Sequence, residues 1–303
     1  MIALGLGLSS SNWGELGGVI HGLKLVALAV VAQAIWGMAQ SLCLDSERFS
    51  LMIASSFVLL WLPGAWSQLG VLALAAVLGW WGLVGKGTCD DKVVINGGRI
   101  GKGKVLAGVF LFLFFLLLFI LPVFSNYFGL ESLAVFDAFY RSGSLVFGGG
   151  HVVLPLLEAE VVQSSWVNKD AFLAGYGAAQ ALPGPLFTFA AFLGTVSGIG
   201  PGGIAGGVLC LLAIFLPGFL LVLGVLPYWE TLRRQERAQN ILLAVNAAVV
   251  GLLLAAFFTP LWVSTINDAK DFALGLLAFT ALVVWRVPPW LVVIVFAGGS
   301  YLA

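Results

Sequence analysis

Long unbroken apolar runs alternate with short polar breaks along this chain. The runs cover 19–39, 49–64, 68–85, 105–124, 201–226, 240–258, 270–286 and 289–302. A helix needs ~20 apolar residues to cross the hydrocarbon core of a bilayer. The stretch "VLAGVFLFLFFLLLFILPVF" (105–124) meets that length. Barrel strands would alternate apolar and polar positions, and these runs do not. The pattern predicts an all-α, polytopic helical membrane protein. Between 131 and 200 it changes: two further apolar segments are each interrupted in the middle, at "GGG" (148–150) and at "PGP" (183–185). Broken or re-entrant helices are expected at both places.

Composition agrees with this class. Of 303 residues, 61% are hydrophobic and 9% charged, where a soluble domain carries about 25% charged residues. The formal net charge is zero, which gives no electrostatic case for nucleic acid. Cys43, Cys89 and Cys210 show no metal or disulfide spacing. No cofactor or metal is expected. Neither HExxH nor GxSxG occurs, and the two histidines, His21 and His151, are far apart in sequence. An enzyme is therefore not expected. The opening "MIALGLGLSSSNWGEL" lacks Lys and Arg, so a cleaved signal peptide is not expected either.

Charge then orients the spans. Lys86, Lys92, Arg99, Lys102 and Lys104 crowd the loop 86–104, and Arg233, Arg234 and Arg237 crowd 227–239. Both loops are expected on the cytoplasmic side. Span 105–124 then ends outside and span 201–226 begins there. Residues 125–200 must leave from and return to one side, either as two re-entrant hairpins or as two complete crossings.

A faint repeat follows. "ALAVVAQAIW" (27–36) resembles "NAAVVGLLLA" (246–255), and each copy continues through a Phe (Phe49, Phe272) and a Pro (Pro63, Pro288). The charge map makes the copies antiparallel, as in the inverted repeats of secondary transporters. The expected organisation is a short segment 1–18, the last three helices of a first repeat at 19–85, a basic linker 86–104, and a complete second repeat 105–303. The first repeat lacks its broken half. Either the sequence is a fragment or truncated homologue, or another subunit supplies that half.

The interruptions carry the candidate chemistry. Inside lipid, non-helical backbone survives only against protein or a water-filled cavity. "GGG" followed by "HVVLPLLEAE" reads as an unwound point and a new helix start, whose free N–H groups suit an anion. Pro183, Gly184 and Pro185 repeat the device, with a second start near Leu186 and Thr188 available for hydrogen bonding. Arg141 is either the partner of Asp137 four residues earlier or the cation for a tetrahedral oxyanion. His151 is either a satisfied polar group or an anion-binding and proton-shuttling one. Glu158, seven residues on, either couples a proton or lies at the aqueous end of the half-helix; Glu160 is off that face. Lys24 is expected to snorkel. Gln180 and Asn246 either bond between helices or join the site. The candidate substrate-binding set is thus Arg141, Gly148, Gly149, Gly150, His151, Gln180, Pro183, Gly184, Pro185, Thr188 and Asn246, with Glu158 for proton coupling.

"FGGGHVVLPLLEAEVV" (147–162), "SWVNKDAFLAGYGAAQALPGPLFTFAAFLGT" (165–195) and "NILLAVNAAVVGLLLAAFF" (240–258) resemble the second half of the chromate ion transporter family. The likeness covers 105–303. "GGVIHGLKLVALAVVAQAIWGMAQ" (17–40) is similar to the later helices of the family's first half. Long members have an "FGG" and a "PGP" motif in each half, so the resemblance implies that first-half versions would precede residue 1. It also implies export of chromate, a sulfate-like dianion, across a bacterial inner membrane with proton coupling. The partners implied are the oxyanion, the lipid bilayer, and either a second copy or a chain with the first-half motifs. Under the rival expectation the chain is a truncated membrane subunit, non-transporting or partner-dependent.

Overall fold

The computed structural model describes residues 1–10, 17–84, 103–146, 150–182, 185–229, 232 and 235–302. Within these residues every regular element is helical. The order is α1 (Ile2–Ser10), α2 (Gly17–Leu42), α3 (Ser46–Trp61), α4 (Ala65–Trp80), α5 (Gly103–Phe128) and α6 (Glu131–Ser144). A 3-10 turn (Gly150–Val152), α7 (Val153–Leu157) and a π turn (Glu158–Val162) form one continuous run. Next come α8 (Lys169–Ala179), a 3-10 turn (Leu186–Thr188), α9 (Phe189–Val196) and α10 (Gly203–Val225). The chain ends with α11 (Glu236–Ala256), a π turn (Phe257–Trp262), α12 (Val263–Thr265), α13 (Ala269–Val283) and α14 (Pro289–Leu302).

Four described helical stretches are long and apolar enough to cross a membrane: Gly18–Leu42, Val105–Phe128, Gly203–Tyr228 and Glu236–Thr265. The last runs past the expected end at 258, but its backbone leaves helical geometry at Thr259 (φ −124°, ψ 114°), so it is kinked just before Pro260. Helices α5 and α10 expose broad apolar faces. Phe112, Phe115, Phe119 and Val123 on α5 and Ile204, Val208, Leu212 and Phe219 on α10 all point outward. Their spacing of three, four or seven residues makes one stripe per helix. Such patches suit contact with lipid, not water.

The segment 131–200 folds as two hairpins that share one open end. Gly200 N donates to Glu131 Oε2 at 3.0 Å, joining the start of α6 to the end of the second hairpin. Gly198 N donates to the Trp166 carbonyl at 2.9 Å, so the start of α8 and the end of α9 also meet there. Arg141 on α6 reaches Glu160 on the return arm, as only a folded-back hairpin allows. Of the two routes left open by the charge map, hairpins are adopted and complete crossings are not. Helix α6 has 14 residues and α8 has 11. At 1.5 Å per residue these are about 21 and 16 Å long, shorter than the ~30 Å hydrocarbon core. Neither helix is therefore long enough to cross such a core by itself. The hairpin tips touch: a Cβ added at Gly150 would lie 3.6 Å from Leu186 Cβ.

Two central helices hold the rest. Leu25, Val26, Ala27 and Val31 of α2 are fully buried, as are Ala244, Ala247, Ala248 and Val250 of α11. Packing is reciprocal: α3 and α4, which follow α2, pack on α11, while α13 and α14, which follow α11, pack on α2. The second hairpin leans on α2 through α8 and on α10 through α9. Small residues make this possible, as is usual between helices in lipid. A Cβ at Gly206 would sit 2.2 Å from Gly194 O, and one at Gly177 would sit 2.2 Å from Leu23 O.

Gly206→Val should therefore drive α10 off α9 and cost about 1–3 kcal/mol, seen as a lower unfolding midpoint in detergent. Gly218→Ala on the same helix has nothing within 4 Å of its new Cβ and should not lower the midpoint.

Candidate functional site

The joined hairpin tips border a cavity of about 710 Å³ lined by His151, Ala179, Gln180, Leu186, Trp290 and Ile294, among others. Each polar group arrives there for a local reason. His151 lies in the 3-10 turn Gly150–Val152 that opens the return arm of the first hairpin. Gln180 closes α8, its N–H bonded back to the Gly177 carbonyl at 3.1 Å. Leu186 starts the next 3-10 turn after Pro185, whose extended ψ of 136° ends the preceding backbone direction. The fourth wall is the first turns of α14, with Pro289 and Trp290.

The tip polar groups differ in how they are satisfied. His151 Nδ1 and the buried Tyr176 hydroxyl are 2.9 Å apart, which fixes the imidazole against α8. Gln180 Nε2 is buried with no well-formed hydrogen bond among the described residues, although its amide lies near enough to interact with the Tyr176 hydroxyl. An unsatisfied buried donor is costly, and here it borders a cavity. Thr188 lies outside this lining: its hydroxyl donates to the Pro185 carbonyl at 3.0 Å and closes the turn. Asn246 is half-buried on α11 and also outside the described lining. Gly148, Gly149, Pro183 and Gly184 lie outside the described residues, as does the loop segment 85–102 with most of its basic side chains.

Arg141 occupies a different pocket, of about 240 Å³, with Gln68, Ser142, Glu160 and Ser164. Its Nη2 donates to Asp137 Oδ2 at 3.0 Å and to Glu160 Oε2 at 3.1 Å. The Asp137 pairing follows from i,i+4 spacing on a helix. The Glu160 pairing is made by the hairpin and has no signal in helical spacing, which sets Glu160 off the face of His151. Glu158 borders a third pocket, of about 140 Å³, with Gln68, Gln163 and Pro155. It does not share the described lining of the His151 cavity. The 3-10 turn winds three residues per turn, so seven positions are not two α turns here. Gln68 of α4 borders both carboxylate pockets, and its Nε2 donates to the Pro155 carbonyl at 3.4 Å.

Two further pairs anchor the first turns of α2. Lys24 Nζ meets Asp170 Oδ1 at 2.6 Å, with the lysine side chain only 12% exposed. It is an ion-pair partner of the second hairpin, its buried stem carrying the ammonium to an Asp170 side chain that is 59% exposed, in line with a snorkelling lysine. His21 Nε2 lies 2.6 Å from Asp271 Oδ1, tying α2 to α13. Sequence reasoning gave His21 no structural role. Among the described residues no cluster of three His, Cys, Asp or Glu side chains is placed to hold a metal ion.

Long apolar helices around two hairpins with polar, touching tips define a polytopic helical membrane protein with an internal polar site. The chromate transporter family model matches residues 133–301, more than half of the chain, and the chain belongs to that family of membrane transporters. It is 30% identical over 171 residues to the "Chromate transport protein" of Pseudomonas aeruginosa, covering 55% of this chain and 40% of the relative. It is 28% identical over 141 residues to the "Probable chromate transport protein" of Synechococcus elongatus, covering 46% and 35%. It is 30% identical over 169 residues to the "Uncharacterized transporter YwrB" of Bacillus subtilis, covering 54% and 84%. The chain thus matches less than half the length of the first two relatives. No solved structure matches it.

Tyr176→Phe should leave the His151 Nδ1 without its fixed partner and lower stability by about 0.5–1.5 kcal/mol, read from detergent-phase unfolding. An unchanged midpoint would mean that the pair does not anchor the imidazole.

Proposed function

We propose that this chain is a secondary transporter that exports chromate, or a sulfate-like oxyanion, through a site at the hairpin tips. The observation that carries this reading is the cavity shared by His151, the buried Gln180 amide and the Leu186 turn. The 3-10 starts offer free N–H groups, which suit an anion. Gly148, Gly149, Gly150, Pro183, Gly184 and Pro185 supply the unwound backbone, and Thr188 and Asn246 flank the route. Arg141 provides a second station along the first hairpin. Coupling to the proton gradient falls to Glu158 or to the carboxylates beside Arg141. The membrane is the bacterial inner membrane, with the basic loops on the cytoplasmic side.

Alternating access would use two inverted repeats, α2–α4 and α11–α14, rocking about this point. The reciprocal packing of α3 and α4 on α11, and of α13 and α14 on α2, supports that symmetry. So does a matched contact. The sequence register pairs Ala32 with Gly251 and Met52 with Gly275. Gly251 packs on the Met52 carbonyl, and Ala32 and Gly275 share one pocket wall.

A second reading is that the chain works only with another chain, a second copy or one bearing first-half motifs. It is favoured by the single pair of hairpins among the described residues against two copies of the central helices.

The test is uptake of labelled chromate by inverted vesicles containing the chain, with sulfate competing and with the pH gradient present or collapsed. Export predicts accumulation that sulfate reduces, that responds to the gradient, and that His151→Ala and Gln180→Ala each lower several-fold. Accumulation equal to that of vesicles without the protein contradicts export by this chain alone. Recovery on co-expressing a family member with first-half motifs favours the second reading.

A further inference from the structure

Arg141 is not a free cation. Its Nη2 is shared between Asp137 Oδ2 and Glu160 Oε2, and those side chains are 7% and 17% exposed. With all three groups ionised the triad carries one net negative charge. A dianion approaching Arg141 would meet two carboxylates at the same atom, and like charge at such range is repulsive. Yet the guanidinium borders an open pocket with Gln68 and Ser164, and its Nε is buried without a hydrogen-bond partner among the described residues. The triad holds a donor in reserve beside a cavity.

We propose that Asp137 and Glu160 are a proton-operated lock on Arg141. This rests on the oxyanion reading above. With both carboxylates ionised, the guanidinium is held and anions are repelled. When Glu160 takes a proton from water, its pull on Nη2 weakens, the triad becomes neutral, and Arg141 turns its fork to the oxyanion. Proton and anion then bind together, and the proton leaves when the anion does. A dianion carried with one proton has a net charge of −1. An inside-negative membrane potential drives that cargo outward, while the usual pH gradient opposes it.

Other groups around the triad are few. On α6, Tyr140 donates its hydroxyl to the Phe114 carbonyl of α5 at 3.0 Å. On the π turn the neighbouring titratable group is Glu158, and from α4 the described pocket lining receives Gln68 and Leu69, neither of them charged. Residues 105–128 of α5 and 203–225 of α10 contain no charged side chain. His151 lines the other cavity and is controlled for separately.

The test is equilibrium binding of labelled sulfate to the full chain in nanodiscs, from mildly acidic to mildly alkaline pH. Sulfate stays doubly charged over that range, whereas chromate itself takes up a proton. The slope is read in the otherwise wild-type chain and repeated with His151→Asn, which removes titration at the tips. In both, affinity should rise on acidification toward about tenfold per pH unit, the linkage slope for one co-bound proton. Adding Glu160→Gln should flatten that slope and raise affinity at neutral pH several-fold. Asp137→Asn should act in the same direction, and the two together should bind most tightly with no pH dependence. Arg141→Gln should abolish the effect. A structural salt bridge predicts the opposite for Glu160→Gln, weaker binding at every pH. That result, or an unchanged slope, overturns the lock while leaving the oxyanion reading intact. No sulfate or chromate binding by the wild-type chain at any pH overturns both.

Discussion

Everything in this molecule follows from one constraint: backbone N–H and C=O groups inside hydrocarbon must be satisfied by protein or by enclosed water. Helices meet the requirement by themselves. The two interruptions do not, and the fold is arranged to shelter them. The end of α8, the Leu186 turn and the first turns of α14 line a cavity beside the described tip residues, and α10 packs on that turn. The same shelter gives His151 and Gln180 a low-dielectric setting in which a few donors act strongly.

Close packing makes the shelter tight. Gly194 and Gly206 let α9 and α10 meet backbone to backbone, and Gly177 does the same for α8 against α2. Polar pairs then fix the neighbours of α2: Lys24 to Asp170 holds the second hairpin, and His21 to Asp271 holds α13. Placing charges in pairs limits the cost of taking them out of water. The Arg141 triad is the exception in sign, because two carboxylates serve one cation. A structure minimising electrostatic cost would not leave that imbalance beside a pocket, and this imbalance is what makes the triad a candidate for chemistry.

Much of this was legible beforehand. Solid apolar runs marked the long helices, and the Gly and Pro clusters marked the tips, because each reflects a local backbone property. The charge map required residues 125–200 to return to one side, which narrowed the hairpins to one of two routes. What could not be read were contacts created by folding back. Glu160 meets Arg141 across a hairpin turn, and His21 meets Asp271 over 250 residues. A single sequence carries no signal for such pairs. Helical periodicity also misled at Glu158, since a 3-10 turn at one end and a π turn at the other break the α register between it and His151.

The meeting of the tips can be measured directly. In a chain with Cys43, Cys89 and Cys210 replaced, Gly150→Cys and Leu186→Cys would place their Cβ atoms about 3.6 Å apart, within the span a disulfide needs. Mild oxidation in native membranes should join them within one chain, visible after cleavage between the two positions. Failure to join, with each cysteine alone reacting freely from opposite faces of the membrane, would contradict convergent hairpins and the site built on them.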